Sequence, residues 1–157
     1  MSTPEVKELL SRNAFFSGLD EEHIEYLAER AKQRSLPKDT VLFAYGDEAR
    51  HFYLVTAGTV SVEVAAIQGP ALELQLLGPG AVLGWSWLIA PYRWTFQARA
   101  AEPAAVLEFD GARILARCEQ DPAFGYQLVK RFSGLMSERL NFARQKMMEE
   151  WRPAGLP

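Results

Sequence analysis

Phe52-Tyr53-Leu54-Val55-Thr56-Ala57-Gly58-Thr59-Val60-Ser61-Val62-Glu63-Val64 is where the chain declares its period. Four large apolar residues run together and stop near Gly58. Val60, Val62 and Val64 then alternate with Ser61 and Glu63, the period-two signature of a half-buried strand. The same grammar extends outward on both sides. Upstream, the change from helical spacing begins at Ser35. Val41-Leu42-Phe43 is a short strand halted by the turn Tyr45-Gly46-Asp47-Glu48. Downstream, Gln68-Gly69-Pro70 turns the chain. Leu72, Leu74 and Leu76 alternate with Glu73 and Gln75, Pro79-Gly80 turns again, and Phe96, Ala98 and Ala100 alternate with Gln97 and Arg99. Ala105 to Phe109 is the last strand. Short strands with turn signals about every ten residues predict a sandwich or barrel.

Helical spacing flanks this β region. Pro4 to Arg12 is expected to be a helix, with Val6, Leu9 and Leu10 on one face and Pro4 suited to the first turn. Asp20 is a candidate N-cap, Glu21 and Glu22 favour a first turn, and Ile24, Leu27, Ala28 and Ala31 carry the second helix to about Lys32. After the strands, Asp110 caps a short helix to about Arg117. Asp121-Pro122 opens a long one reaching about Trp151, roughly 40 Å at 1.5 Å per residue. The expected layout is one domain over 1–157: N-terminal helices 1–33, β barrel 34–109, C-terminal helices 110–152.

The long helix carries two neighbouring apolar stripes. One is Leu128, Leu135 and Phe142; the other is Val129, Met136 and Ala143, with Phe132, Leu140 and Met147 beside them. Such a width on a helix longer than the barrel calls for a partner. Pairing with the same helix of a second copy is expected from about Leu135 onward, through Leu135, Met136, Arg139, Leu140, Phe142, Ala143 and Met147. Arg139 on that seam argues against a tight two-stranded coil along the whole length. The alternative is a helix folded back on its own domain.

Composition narrows the function classes. The chain has 157 residues, 48% hydrophobic and 24% charged, with formal net charge −3, so no general attraction to nucleic acid or anionic membrane is expected. One cysteine, Cys118, permits no disulfide within the chain. Met1-Ser2-Thr3-Pro4-Glu5 lacks a basic region followed by an apolar run, so no signal peptide is expected and the chain reads as cytoplasmic. His23, on the exposed side of its helix pattern, and His51, in a turn, are the only histidines; both read as surface residues and no metal site is expected. No nucleophile elbow, Walker loop or dinucleotide fingerprint occurs, so no catalytic residue is assigned and the chain reads as non-enzymatic.

One stretch does not fit a plain barrel. Leu83-Gly84-Trp85-Ser86-Trp87-Leu88-Ile89-Ala90-Pro91-Tyr92-Arg93-Trp94-Thr95 holds three of the four tryptophans. It reads either as an aromatic plug at a barrel end or as a ligand pocket with Ser86, Arg93 and Thr95 as its polar groups.

The order of these parts resembles the cyclic-nucleotide-binding domain, the double-stranded β-helix jelly roll of catabolite-activator and FNR-type regulators and of protein-kinase regulatory subunits. Phe16-Ser17-Gly18-Leu19, Phe43-Ala44-Tyr45-Gly46-Asp47 with Phe52-Tyr53-Leu54-Val55 and Gly58-Thr59-Val60, and Leu77-Gly78-Pro79-Gly80-Ala81-Val82-Leu83-Gly84 carry the resemblance, which runs from about Phe15 to about Leu140. It implies a mainly β jelly roll with short N-terminal helices and a long C-terminal helix. It also implies a sensor that takes a ligand and passes a signal through its C-terminal helix to a partner protein. The transcription factors among its relatives add a helix-turn-helix after the long helix. Only Arg152-Pro153-Ala154-Gly155-Leu156-Pro157 follows Trp151 here, so a stand-alone module without DNA binding is expected.

The family's ligand element is a phosphate-binding cassette, in which backbone N–H groups and an arginine hold a cyclic phosphate and a glutamate accepts from the ribose hydroxyl. Leu83-Gly84 keeps the frame. Trp85 takes the glutamate position, and an indole N–H only donates. If Pro91 and Thr95 mark the cassette's end, Tyr92 stands at the arginine position and Arg93 one residue late. In extended structure that shift turns the side chain to the opposite face, whereas in a loop it need not, and Arg93 could still swing onto a phosphate. Losing both anchors weakens family-type binding roughly a hundredfold or more. The cassette is therefore degenerate. The candidate ligand residues are Gly84, Trp85, Ser86, Trp87, Tyr92, Arg93, Trp94 and Thr95. Three outcomes stay open: a cyclic nucleotide or dinucleotide, a flatter and more apolar ligand, or an aromatic-plugged module with no ligand.

Overall fold

The structure is a computed structural model that describes residues 1–64 and 68–150. Two short helices lead, α1 (Thr3–Arg12) and α2 (Glu21–Glu29). Eight strands follow among the described residues: β1 (Ala31–Leu36), β2 (Val41–Phe43), β3 (His51–Ala57), β4 (Val60–Val64), β5 (Leu72–Leu77), β6 (Val82–Leu83), β7 (Gln97–Ala100) and β8 (Ala104–Asp110). Helices α3 (Gly111–Gln120) and α4 (Pro122–Glu150) complete the order. The caps are chemical. The Asp110 carboxylate accepts from the Arg113 amide at 3.2 Å, and Asp121 accepts from the Phe124 amide at 3.2 Å. Asp20 holds the N-cap position of α2 but its side chain makes no capping bond. The expected end of α4 at Trp151 lies outside the described residues.

The strands form two four-stranded antiparallel sheets, β1-β8-β3-β6 and β2-β7-β4-β5, facing each other as a jelly roll. Two strands depart from the sequence expectation. β1 begins at Ala31, so the N-terminal helices end at Glu29 rather than at 33. Lys32, Gln33, Arg34 and Ser35 are exposed and carry no alternation. What makes them a strand is the unbroken ladder to β8, from Ala31 opposite Phe109 to Leu36 opposite Ala104. β6 has two residues, too few to show a period. The turn expected to hold His51 is in fact the start of β3, opposite Asp110.

Two cores result, and β3 serves both. Phe52 and Leu54 join Leu107 and Phe109 of β8 in a core shared with the helices. Tyr53 and Val55 face the barrel interior with Val60, Val62, Val106 and Ala98. A strand buried on both faces reads as a continuous apolar run, which explains why Phe52–Val55 does not alternate. In the helical core Phe52 stacks on Phe109 with centroids 4.5 Å apart, and Phe132 of α4 meets Phe52 edge-on at 5.2 Å. Phe15 meets Phe132 at 4.8 Å, which seats the segment between α1 and α2 against α4. Arg131 reinforces that seat by donating to the carbonyls of Phe15 and Ser17 at 2.8 and 2.7 Å.

In the barrel core, Trp94 lies face to face on Phe43 with centroids 3.7 Å apart. The room for its ring comes from Gly84. A Cβ there would stand 2.8 Å from Trp94 Cη2, and Gly84 has φ +99°, where only glycine is unstrained. Gly84→Ala is expected to cost about 2–4 kcal/mol, from backbone strain plus overpacking, and Trp94→Ala in the same chain to recover the overpacking part. Urea unfolding of the single and double variants measures both.

The outer face of the second sheet is polar but closed. The Glu63 carboxylate accepts from Arg99 at 2.8 Å, from Gln97 at 3.1 Å and from Ser61 at 3.1 Å. Burial pushes its pKa up, but the bonds from Arg99, Gln97 and Ser61 outweigh burial and hold it below the ordinary value. A depressed native pKa adds stability that is full above the unfolded pKa and lost as pH falls through the native one. Thermal melting followed from pH 6 downward is expected to drop below about pH 4.5, and Glu63→Gln is expected to flatten that limb.

Candidate ligand site

The segment joining β6 to β7 is the aromatic stretch, and it folds with a cis Ala90–Pro91 peptide. Its return limb is extended. The Gly46 amide donates to Trp94 O, the Trp94 amide to Asp47 O and the Ala49 amide to Tyr92 O, at 2.8–2.9 Å. Arg93 pairs with Glu48 in an isolated bridge. Alternation along this limb sets the side chains. Trp94 points into the barrel and is 5% exposed. Arg93, one residue away, is exposed and donates to Gly46 O at 3.0 Å. Tyr92 is exposed with φ +58°. The one-residue shift turns Arg93 outward, and Tyr92 is turned outward where the backbone takes its positive φ, so neither lines the inner cavity, correcting the expectation that they would.

Gly84, Trp85, Ser86, Trp94 and Thr95 do come together, around a cavity of about 20 Å³ completed by Phe43, Val62, Leu83, Phe96 and Arg139. That is room for about one water molecule. Ser86 is buried, and Trp85 is half-buried with its ring edge-on to Phe96 at 5.8 Å. Trp87 does not line this cavity. It turns the other way into the helical core, stacks on Phe52 at 5.1 Å, meets Phe132 at 5.2 Å and donates its indole N–H to Gly84 O at 3.0 Å. A ring lining the ligand site was expected there; tight packing against β3 and α4 claims it instead.

Arg139 is the residue sequence reasoning placed wrongly. Leu135, Arg139 and Ala143, spaced by four, face their own barrel and are buried, so they offer no surface to a second copy. Leu140, Phe142 and Met147 are exposed, and Met136 is half-buried. The available signal was a lone arginine amid a buried apolar stripe. Its Nη2 donates to Val82 O at 2.8 Å, and Nη1 lies 3.7 Å from the Glu138 carboxylate. Burial holds its pKa below the usual arginine value, with Glu138 opposing.

A larger hollow lies elsewhere. A groove of about 700 Å³ lies between α4, the segment after α1 and the approach to β6, lined by Asn13, Phe15, Gly80, Val82, Lys130, Arg131, Leu135, Glu138 and Arg139. Arg139 lines both the groove and the inner cavity.

His23, expected at the surface, is mostly buried: it stacks on Phe124 at 4.6 Å with Nε2 3.3 Å from Asp121 Oδ2. Cys118 is buried in α3, and burial, with Asp121 and Glu119, pushes its pKa up to about 11. Among the described residues no three His, Cys, Asp or Glu side chains converge as a metal site. No described helix is long and apolar enough to cross a membrane.

Comparison with known proteins bears on this site. A family model described as the cyclic nucleotide-binding domain matches residues 33–121. No curated protein matches the chain. Among solved structures, a candidate cyclic nucleotide-binding protein of Geobacter metallireducens GS-15 is 29% identical, with 89% of this chain and 99% of that one covered and a TM-score of 0.77. The catabolite activator protein of Thermus thermophilus is 26% identical over 85% of this chain and 61% of its own, at a TM-score of 0.67. The sensor domain of the transcriptional regulator DNR from Pseudomonas aeruginosa, at 18% identity, shares the fold over 98% of each chain with a TM-score of 0.71. With its two-sheet barrel, its glycine-led segment before β7 and its long closing helix, this chain belongs to the cyclic nucleotide-binding domain family.

Proposed function

We propose that the chain is a non-enzymatic sensor, described here in its closed state, which takes a cyclic nucleotide or a related phosphate-bearing ligand in the barrel and passes the change to a partner protein through α4. The observation that carries this is Arg139. A buried guanidinium with one close carbonyl acceptor is expensive, and an apolar side chain would close a permanently filled barrel better. A charge kept at the junction of groove and cavity fits a site that opens. Trp87 supports the second half: it joins the ligand loop to Phe132 of α4, so movement of the loop reaches that helix through packed rings.

The competing reading is a module without ligand, whose barrel Trp94 has filled for good. The cavity of about 20 Å³ favours it. Cyclic AMP, cyclic GMP and a cyclic dinucleotide, each taken to millimolar concentration, separate the two. Sensor function predicts a raised melting temperature and a tryptophan-fluorescence change as Trp94 leaves Phe43, with tighter binding by Trp94→Ala, which empties the space. If neither protein responds to any of the three, the plugged module stands.

Leu140, Phe142 and Met147, with Met148, leave an apolar face exposed on the far half of α4, and a second copy of this chain is the proposed cover. Sedimentation at tens of micromolar is expected to give twice the 17.6 kDa chain mass, and Leu140→Glu with Phe142→Glu to return it to one chain.

A further inference from the structure

The closed site lacks an evident partner for ligand charge. Arg93, the cation nearest in sequence to the cassette, is spent on Gly46 O at the surface. Within the cavity lining the polar side chains are Ser86, Thr95 and Arg139, and Arg139 comes from α4. Its guanidinium has five N–H donors and one short bond, to Val82 O. The neighbouring Glu138 carboxylate is 3.7 Å away and more than half exposed, so it compensates the buried charge weakly. On its outer side Arg139 also lines a groove of about 700 Å³, a volume suited to a nucleotide-sized molecule, with Lys130 on its wall. Arg131 in that wall is engaged with Phe15 O, Ser17 O and Gln127, which leaves Arg139 as the cation at the junction.

We infer that Arg139 is the anion-recognition residue of this site and the gate between groove and barrel. A phosphate-bearing ligand with a planar ring enters by the groove, its phosphate takes the Arg139 guanidinium from Val82 O and seats it beside Ser86, and its ring displaces Trp94 from Phe43. Charge recognition has moved from the cassette loop to the signalling helix, so binding and helix movement are one event.

This rests on the sensor reading, and the test keeps the two apart. The affinity of the cyclic nucleotide probe that shifts wild-type tryptophan fluorescence is measured for Arg139→Gln, Arg139→Lys and Arg93→Gln, with melting temperatures as the check on folding. Arg139→Met, close in length and volume, replaces Arg139→Gln if the latter does not fold. Arg139→Gln is expected to weaken binding about tenfold to a hundredfold, Arg139→Lys to restore most of it, and Arg93→Gln to stay within about twofold. Adenosine, which lacks the phosphate, is expected to bind wild type as weakly as the nucleotide binds Arg139→Gln. If wild type binds a cyclic nucleotide and Arg139→Gln binds it equally well, this inference falls and the sensor stands. If wild type binds no probe, both fall.

Discussion

The contact of Trp87 with Phe52 and Phe132 holds the molecule's parts in one arrangement. Phe52 belongs to the strand that both cores share, Phe132 to the closing helix, and Trp87 to the segment joining β6 to β7. Phe109 stacks beneath Phe52, and Phe15 and Phe16 bring the N-terminal segment into the same cluster. Large aromatic faces dominate burial energetics, so neither helix nor loop can shift without repacking this group.

The loop is anchored twice. Trp87 is sunk in the helical core and Trp94, seven residues on, in the barrel core. Between them the chain is exposed at Ile89, Pro91 and Tyr92. The two anchors differ in what opposes their release. Trp87 is locked by rings from two elements, Phe52 of β3 and Phe132 of α4, and by its bond to Gly84 O. Trp94 is held by its stack on Phe43, a tilted contact with Tyr53 at 6.5 Å and backbone bonds that its side chain does not need.

The barrel was legible because period-two alternation marked the strands and turn residues separated them, although burial follows the alternation only in part: Ser61 and Glu63 are buried beside Val60 and Val62, closed over by Arg99 and Gln97, while Val64 and Leu76 are exposed. β1 was not, because Lys32–Ser35 form a strand only by pairing with β8, a long-range cause that leaves no local trace. In the site, the loss of an acceptor at Trp85 and the displacement of Arg93 were readable from residue type and spacing. Whether the displaced Arg93 faced in or out depended on the limb being extended, which its pairing with Gly46–Ala49 decides. Arg139 was misplaced because a helix stripe shows which residues are apolar and not which neighbour they meet. Its burial depends on where the barrel ends under α4.

The single thiol has a consequence for chemistry outside the site. A Cys118 thiol raised to about 11 and enclosed between α3 and α4 is almost wholly protonated at neutral pH. The thiolate is the form that attacks peroxide and disulfides, so this buried, protonated thiol is a poor nucleophile towards either. A covalent link between two folded copies through Cys118 is disfavoured for the same reason.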